Sequence, residues 1–212
     1  MKLIGMLDSP YVRRTAISMQ LLGLPFEHQS LSVFRTYDEF RRINPVVKAP
    51  TLVCDDGTVL MDSTLILQYA EAVAGRSLSP SDPGALGHAL RVTGLALAAC
   101  EKSVQIFYEH MLRPEEKRHG PWLDRVTTQL LGACAALEQE IVRQPIEATA
   151  SAIGQAGVTT AVTWQFILLT TPGIVPPDRH PALVAFSEKA EALAEFRAAP
   201  HGAGTYPVDA AA

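Results

Sequence analysis

A stretch rich in proline, serine and glycine, Gly75 to Gly84, divides this sequence into two parts with different patterns. Residues of these types, clustered between periodic segments, are typical of a linker. Short apolar runs alternate with helical patterns before the stretch, whereas only helical spacing is found after it. The sequence therefore predicts two domains of different class, with a first domain at 1–76, a linker at 77–84, a second domain at 85–200 and a loose tail at 201–212.

The first part predicts a small mixed sheet covered by helices. Its apolar runs predict strands at 2–7, 27–33, 51–54 and 58–61. A helix is predicted to start at Ser9-Pro10, where a favoured N-cap precedes a favoured N1 residue, and to end near Gly23. Further helices are predicted from the capping box at Thr36 and from Asp62-Ser63. The resulting order is βαβαββα.

The second part predicts four helices. Apolar positions recur three or four residues apart through 85–112, 122–141, 158–170 and 183–193. Since no strand pattern lies between them, this part is expected to form an all-helical bundle, with Trp164 in its core. The fold class is therefore α/β plus all-α.

Composition excludes several classes of protein. The 212 residues are 48% apolar, enough to bury a full core and to exclude a wholly disordered chain. A net charge of −4 gives no electrostatic basis for binding nucleic acid or an anionic membrane. No apolar run approaches the length of a membrane-spanning helix, and Met1 to Leu7 is too short for a signal peptide. We expect a soluble cytoplasmic protein without nucleic-acid or membrane partners.

The three cysteines, Cys54, Cys100 and Cys134, are widely spaced and include no C-x-x-C pair. No histidine stands at ligand spacing from any of them. A disulfide framework and a zinc site are therefore not expected, and we predict no bound metal.

The segment around Pro50 predicts a site for a peptide. Pro50 lies directly before the apolar run 51–54, so it must begin a strand or lie at a sheet edge. If the Ala49-Pro50 bond is cis, the N–H and C=O of Ala49 face outward and can pair with an extended peptide. At the following helix start, Ser63 and free amides can receive a carboxylate, while Asp62 can receive an ammonium. Together these two residues fit the charges of one α-amino-acid end group.

This block resembles the N-terminal domain of the glutathione S-transferases. That family carries an N-P-x-x-K-x-P-x-L segment, followed by an acidic residue and a serine, on a thioredoxin-like domain. Here the segment is 44–52 and the pair is Asp62-Ser63, and the helical second part agrees with the family's second domain. The resemblance is to bacterial cytosolic members with a serine-type active site, and it implies a homodimer.

The resemblance also implies that glutathione, γ-Glu-Cys-Gly, is the co-substrate. Asp62 and Ser63 would bind the γ-glutamyl ammonium and carboxylate. The Ala49 backbone, before Pro50, would pair with the cysteinyl unit, and Lys48 would reach the glycine carboxylate. The thiol would then point at Ser9.

Ser9 is the residue expected to activate that thiol. It lies where the first strand meets the first helix, the place of the first cysteine in the C-x-x-C of thioredoxin-like redox proteins. The four residues here, 9–12, include no cysteine, so a ligand must bring the sulfur. A hydroxyl at a helix N-terminus can donate to a thiolate and lower its pKa. The alternative is that Ser9 is only an N-cap, accepting from the Tyr11 or Val12 amide, and the two roles are compatible.

A small electrophile needs an apolar pocket beside the sulfur, expected between the domains. The candidates for this pocket are Tyr11, Phe34, Phe107, Tyr108 and Met111. The alternative for each of them is an ordinary place in the hydrophobic core. Arg35 and Arg41 are expected on the solvated surface. The alternative for either is contact with the glycine carboxylate. None of the histidines has a partner pattern that indicates catalysis.

The sequence thus predicts a glutathione transferase that conjugates glutathione, as a thiolate, to a small electrophile. Two alternatives stay open: a glutathione-dependent disulfide reductase, and a non-catalytic binding protein with the same fold.

One stretch departs from the family. The helix at 158–170 usually begins with Ser/Thr-x-Ala-Asp, whereas the matching residues here are 157–160, Gly-Val-Thr-Thr, so Gly157 is expected to cap this helix without the acid.

Overall fold

The computed structural model describes residues 1–205 and divides the chain into two compact units. The first unit contains Met1–Leu78 together with the described residues from 192 to 205, and the second is Ser79–Glu191. The predicted scheme differs at the C-terminal end, because it assigned 192–200 to the helical domain. The part of the predicted tail at 206–212 lies outside the described residues.

The first unit contains a four-stranded sheet with the predicted element order, βαβαββα. Its strands are β1 (Lys2–Ile4), β2 (Glu27–Gln29), β3 (Thr51–Val53) and β4 (Val59–Leu60). Its helices up to residue 78 are α1 (Pro10–Leu21), α2 (Tyr37–Ile43) and α3 (Ser63–Ala74). The strand order is β2-β1-β3-β4, with β1 parallel to β2 and the other pairs antiparallel. The strands are shorter than predicted, but each lies within its predicted range.

Both faces of this sheet are covered. Leu3 of β1 pairs with Leu52 of β3, and both side chains are fully buried. The next residue, Ile4, packs with Leu31 and with Phe40 of α2. Because successive strand residues face opposite sides, α2 covers one face, while α1 and α3, which contact each other, cover the second face.

The ends of α1 follow the sequence signals. Ser9 is the N-cap and Pro10 is the first helical residue. At the other end Gly23 has a φ of +72°, and its amide donates to the Gln20 carbonyl at 2.8 Å. The Leu24 amide donates to the Met19 carbonyl at 3.0 Å, which completes a Schellman motif. The predicted role of Gly23 as the residue that ends α1 is confirmed.

Helices alone form the second unit within its described residues. They are α4 (Pro83–Leu112), α5 (Gly120–Arg143), α6 (Gly154–Thr170) and α7 (Pro181–Glu191), with short 3-10 turns at Glu115–Lys117 and Pro177–Arg179. Helix α4 packs against α5 and α6, and α7 packs against the same two helices. Trp164 of α6 is 3% exposed, so its predicted place in the core is confirmed.

The last described helix, α8 (Ala194–Ala198), groups with the sheet unit and contacts α1. Arg13 of α1 is 2% exposed and donates from Nε to the Ala199 carbonyl at 2.7 Å and from Nη2 to the Phe196 carbonyl at 3.4 Å. Its guanidinium carbon also lies 5.6 Å from the centre of the Phe196 ring. Carbonyls at a helix C-terminus lack intrahelical partners, so the buried guanidinium satisfies them and binds α8 to α1.

The start of α6 differs from the prediction. The helix begins at Gly154, after Ile153, which makes no side-chain cap bond, so Gly157 lies in the first turns and not at the cap. A β-carbon at Gly157 would lie 2.5 Å from Cγ1 of Ile153 and 3.2 Å from Cζ of Phe186. Close packing, and not capping, therefore requires a glycine at this position.

An ionic cluster joins α4 to α5. Glu140 of α5, with a side chain 8% exposed, accepts from Arg91 Nε at 2.6 Å and from Arg143, and His88 Nε2 lies 3.2 Å from its second oxygen. The hydrogen bond from Arg91 lowers the pKa of Glu140 to about 2, with Arg143 acting in the same direction against the opposing effect of burial. The folded state therefore favours the ionised carboxylate.

This pKa shift predicts an acid-sensitive contribution to stability. Because the pKa of Glu140 falls from 4.5 to about 2, its contribution is complete above pH 4.5 and is lost as the pH falls toward 2. We expect Glu140→Gln to lower the thermal midpoint at pH 7 and to flatten its acid limb, measured by circular dichroism between pH 3 and 7. The exposed Glu116 provides the control, since Glu116→Gln should leave the profile unchanged. An unaltered acid limb in Glu140→Gln would contradict this account.

Candidate functional site

Gly5 is the point where three segments of the first unit meet. It follows β1 directly and has a φ of +133°, a conformation that side chains other than glycine rarely adopt. A β-carbon here would lie 2.6 Å from Cγ2 of Val12 in α1 and 3.2 Å from the β-carbon of Ala49. The first turn of α1 and the segment before Pro50 are therefore packed against the same glycine.

His28 of β2 supports the Gly5 backbone from the other side. Its Nε2 lies 2.7 Å from the Gly5 carbonyl oxygen, and the Gly5 amide donates to the Gln29 carbonyl at 3.0 Å. Burial lowers the pKa of His28, although the bond to Gly5 acts in the opposite direction. The neutral ring with hydrogen on Nε2 donates to that carbonyl and fixes the backbone where β1 ends.

Ser9 lies at the N-terminus of α1, half-buried, as its sequence position predicted. Its Oγ accepts from the Val12 amide at 3.5 Å, and its amide donates to the Met6 carbonyl at 3.1 Å. The capping role considered as an alternative is thus present, but 3.5 Å is long for such a bond. The Ser9 oxygen accepts this bond, so the hydrogen of the same hydroxyl can donate to another group beside the first turn of α1.

The neighbouring Asp8 affects the charge at this loop. Burial raises the pKa of Asp8, while the charges of His201 and Arg35 and a bond from the Ser9 amide lower it. An ionised Asp8 would disfavour a second negative charge beside Ser9. Arg35, and His201 when it is protonated, offset part of this repulsion. His201 comes from the C-terminal segment that groups with this unit.

Asn44 organises the loop that leads to Pro50. It is 3% exposed, donates from Nδ2 to Thr51 Oγ1 at 2.8 Å and accepts the Val46 amide at 3.0 Å. Thr51 Oγ1 in turn donates to the Lys48 carbonyl at 2.6 Å. A single buried amide thereby connects the two ends of 44–51 and fixes the shape of the loop.

Within this loop the Ala49-Pro50 peptide bond is cis, as hypothesised. Ala49 is half-buried against the cluster of Ile4 and Phe40, Pro50 is buried and Lys48 is exposed. The Met61-Asp62 bond is also cis. The loop therefore presents the Ala49 backbone beside Gly5, with the Lys48 side chain in solvent.

Asp62 is the N-cap of α3, and its carboxylate is exposed. Its Oδ1 accepts from the Thr64 amide at 2.9 Å and from the Leu65 amide at 3.5 Å. The sequence predicted free amides at this helix start, and that prediction is wrong for the Thr64 amide, which Asp62 occupies, while the 3.5 Å contact from Leu65 is as long as the one at Ser9. The bonds use one oxygen, so Oδ2 can still accept from an ammonium.

Ser63 does not share the capping role that was predicted for it. It is the first residue of α3 and is 2% exposed, and its Oγ accepts from Nη1 of Arg14 at 3.1 Å. Arg14 is itself 4% exposed and reaches Thr64 Oγ1 at 3.5 Å. This contact brings the start of α3 to α1, the helix that begins at Ser9.

The candidate pocket residues fall into two groups. Tyr11 is half-buried on α1, and Phe34 is 47% exposed in the loop after β2. Phe107, Tyr108 and Met111 belong to the second unit, at the C-terminal end of α4. There Phe107 packs edge-on against Phe166 with ring centres 6.5 Å apart, as its core alternative predicts, while Tyr108 and Met111 are 38% and 48% exposed.

Sequence reasoning missed Gly5, Arg14 and His28 as residues that position the site, and it included Asn44 in the 44–52 motif without assigning it this role. For Gly5 a signal existed, since an isolated glycine in a strand pattern indicates close approach of another backbone. Arg14 had no such signal, because a basic residue on an amphipathic helix is ordinarily solvated. Arg35 and Arg41 are exposed, as expected.

Comparison with known proteins links this segment to one family. Residues 3–77, the segment that contains this site, match the model described as the glutathione S-transferase N-terminal domain. The chain is thus similar to the glutathione S-transferases. The uncharacterized GST-like protein YibF of Escherichia coli is 32% identical over 39% of this chain, and glutathione S-transferase U4 of Arabidopsis thaliana is 27% identical over 50% of it. The matches span 42% and 52% of those relatives' lengths.

Solved glutathione transferase structures resemble nearly the whole chain. A Pseudomonas fluorescens family member with bound S-(propanoic acid)-glutathione is 28% identical with a TM-score of 0.78, covering 94% of this chain and 98% of its own. A Methylobacterium radiotolerans glutathione S-transferase in complex with glutathione sulfonate is 27% identical with a TM-score of 0.84, covering 92% of both chains. The fold class expected from the resemblance, a thioredoxin-like domain followed by helices, is confirmed.

Several described features bear on the sulfur chemistry. All three cysteines are buried and none forms a disulfide within the described residues, and burial raises the pKa of Cys134 to about 12. Within residues 1–205, no group of three His, Cys, Asp or Glu side chains is arranged to bind a metal ion. In the same part of the chain, no helix is long and apolar enough to cross a bilayer.

The close approach at Gly5 makes a testable prediction. Gly5→Ala adds a methyl group that clashes with Val12 and Ala49 in a conformation unsuited to alanine. We expect a loss of about 2–4 kcal/mol in unfolding free energy, from backbone strain and overpacking together, and a weaker affinity for glutathione by calorimetry.

Gly57→Ala is the matched control for Gly5→Ala. Gly57 also has a positive φ, +86°, but nothing lies within 4 Å of its added β-carbon. It should lose only about 1 kcal/mol and bind glutathione as the unchanged protein does. Equal losses in the two variants would show that strain alone, without the Ala49 contact, accounts for the effect.

Proposed function

We propose that this protein is a glutathione transferase that binds glutathione in its first unit and activates the thiol beside Ser9. The observation that carries the proposal is the meeting of three segments around α1. Gly5 joins the start of α1 to Ala49, and Arg14 joins the same helix to Ser63. One extended tripeptide can contact all three segments, through its peptide backbone, its thiol and its amino-acid end.

Each part of glutathione has a proposed partner. The γ-glutamyl ammonium binds Asp62 Oδ2 and its carboxylate binds the Ser63 hydroxyl. The cysteinyl unit pairs with the backbone of Ala49, before Pro50, and the exposed Lys48 reaches the glycine carboxylate. Orientation by two anchored ends then contributes to the rate, because the thiol is placed before reaction.

Thiol activation requires a modest free energy. Lowering the thiol pKa by about two units corresponds to about 2.7 kcal/mol. A helix N-terminus contributes about 0.3–2 kcal/mol and a hydrogen bond to a charged acceptor about 1.5–3 kcal/mol. The amides at the start of α1 and the Ser9 hydroxyl together meet this requirement. In the reaction the thiol proton passes to solvent and the thiolate sulfur forms a bond to carbon. Either a leaving group departs with the electrons of its bond, or a double bond takes up the sulfur and then a proton from solvent.

The comparisons support the binding part of this proposal. Solved structures of family members from Pseudomonas fluorescens contain bound glutathione and its S-(propanoic acid) derivative, at 28% identity to this chain. Buried cysteines in the described protein support a sulfur supplied by the ligand, since buried thiols are poor nucleophiles. Tyr11 and Phe34 in the first unit, and Tyr108, Met111 and Phe107 in the second, stay candidates for contact with a small electrophile.

Ser9→Ala tests the activating role of the hydroxyl. We expect the pKa of enzyme-bound glutathione, measured by ultraviolet titration of the thiolate, to rise by about one to two units because one donor to the sulfur is lost. Binding of glutathione itself should change little. Ser32→Ala, at another half-buried serine of this unit, should leave the thiol pKa unaltered. A pKa in Ser9→Ala equal to that of the unchanged protein would remove Ser9 from this role.

A pair of assays separates the proposed reaction from the alternatives. We expect glutathione-dependent conjugation of a haloaromatic compound to exceed reduction of a glutathione mixed disulfide. The reverse order would identify a disulfide reductase, and no binding at millimolar glutathione would identify a non-catalytic protein. The homodimer and the cytoplasmic location that the resemblance implies stay predictions, and sedimentation velocity measures the first.

A further inference from the structure

The segment 199–203, which follows α8, is anchored at both of its ends to other parts of the first unit. At its start the Ala199 carbonyl accepts from Nε of Arg13, in α1, at 2.7 Å. At its end the Ala203 carbonyl accepts from Oγ of Ser30, directly after β2, at 2.8 Å. Four residue steps span at most about 14 Å, so the segment follows a short and restricted path between these anchors.

The two anchors border the loop that carries Ser9. The serine anchor follows Gln29, whose carbonyl accepts from the amide of Gly5, where that loop begins. The arginine anchor lies where the loop ends, since the Arg13 amide donates to the Ser9 carbonyl at 2.9 Å in the first turn of α1. His201, at the middle of the anchored segment, is therefore placed beside this loop.

Asp8 is the charged group of the loop with which His201 interacts. Burial raises the pKa of Asp8, while the charge of His201, a bond from the Ser9 amide and the charge of Arg35 lower it. Asp8 and His201 are both half-buried, whereas Arg35 is exposed. Because water screens an exposed charge more strongly, a protonated His201 is the more effective neutralising partner of Asp8.

An ionised Asp8 opposes the chemistry proposed for Ser9. Asp8 is the residue directly before Ser9, and the glutathione thiolate is proposed to form at the same helix start. A negative charge there raises the pKa of a neighbouring thiol and cancels part of the contribution from the hydroxyl and the helix amides. A cation paired with Asp8 removes this opposition.

We propose that His201 is a positioning residue, which pairs with Asp8 and thereby offsets the negative charge beside the forming thiolate of glutathione. It acts through Asp8 and does not contact the sulfur. The inference rests on the proposed function, because the thiolate is the species whose formation His201 favours. The segment 199–203 thus contributes to the activating site, and its backbone anchors determine where the imidazole lies.

The test measures the pKa of bound glutathione by ultraviolet titration of the thiolate on the full chain. We expect His201→Gln to raise this pKa by about half a unit, because a neutral side chain no longer offsets the charge of Asp8. His201→Lys keeps a positive charge and should hold the pKa at or below that of the unchanged protein. If both substitutions raise the pKa alike, the histidine serves packing only and the proposal is overturned.

Asp8→Asn removes the opposing charge itself. We expect it to lower the thiol pKa by about half a unit. Adding His201→Gln to Asp8→Asn should then change the pKa by less than about 0.2 units, because the two residues act as one pair. An equal rise from His201→Gln with and without Asp8→Asn would overturn the proposal, since the imidazole would then act on the sulfur directly.

Asp56→Asn is the matched control for Asp8→Asn. Asp56 is exposed in the turn after β3, and the pairing of Val53 with Lys2 places this turn at the end of the sheet opposite Gly5. Its substitution should leave the thiol pKa unaltered. A fall equal to that in Asp8→Asn would overturn the proposal, because the effect would then come from net charge and not from a pair beside Ser9.

The pairing is also measurable without glutathione. In the full chain alone, the titration midpoint of the His201 ring, followed by nuclear magnetic resonance, should move to lower pH in Asp8→Asn, because a carboxylate favours the charged imidazole. It should stay in place in Asp56→Asn. An unmoved midpoint in Asp8→Asn would show that the two groups do not interact, and it would overturn the proposal.

The unchanged protein separates this inference from the proposed function. If bound glutathione keeps the thiol pKa of the free peptide, or does not bind at millimolar concentration, the proposed activation fails and the role of His201 with it. If the pKa is lowered but is the same in His201→Gln, the proposed function stands and only the role of His201 is overturned.

Discussion

Two buried guanidinium groups on adjacent residues of α1 are the interaction on which the first unit depends. Neighbouring residues on an α-helix point about 100° apart, so one helix can present Arg13 to α8 and Arg14 to the start of α3. Burying a guanidinium costs free energy, and acceptors for its donors reduce that cost. The C-terminal segment and α3 are therefore each required at one place relative to α1. The same helix begins at Ser9. Helix α1 therefore positions both the groups that would bind a ligand and the hydroxyl that would activate it.

The candidate site is built largely from backbone, and backbone is positioned by what packs beside it. Gly5 permits α1 and the Ala49 segment to approach, and the buried amide of Asn44 fixes the loop before Pro50. Val47 in that loop has a φ of +53°, which costs a β-branched residue about 1–2 kcal/mol. Its side chain packs against the cluster that includes Ile4 and Phe40, and this burial offsets the strain. A site that is strained but packed in this way is arranged before its ligand arrives.

The second unit is stabilised by different means. The family's capping box is missing at the start of α6, yet the helix forms, because helices in proteins owe most of their stability to the burial of an apolar face. Gly157 contributes by letting Ile153 and Phe186 pack closely. Between α4 and α5 the ionised Glu140 accepts from two arginines. The loss of one capping signal is therefore tolerated where packing and ion pairing determine the arrangement of helices.

Local spacing by itself determined the element order, the caps at Ser9 and Asp62, the glycine that ends α1 and the motif at 44–52. These features depend on residues a few positions apart, so they are properties of the sequence before it folds. The tertiary structure alone decided that Arg14 meets Ser63, 49 residues away, that α8 groups with the sheet, and that Asp62 occupies an amide expected to be free. Such contacts depend on which distant segments are brought together and on which donors find acceptors first. The spacing of residues within one segment encodes neither the meeting of distant segments nor the pairing of donors with acceptors. Both are results of how the segments are buried against each other.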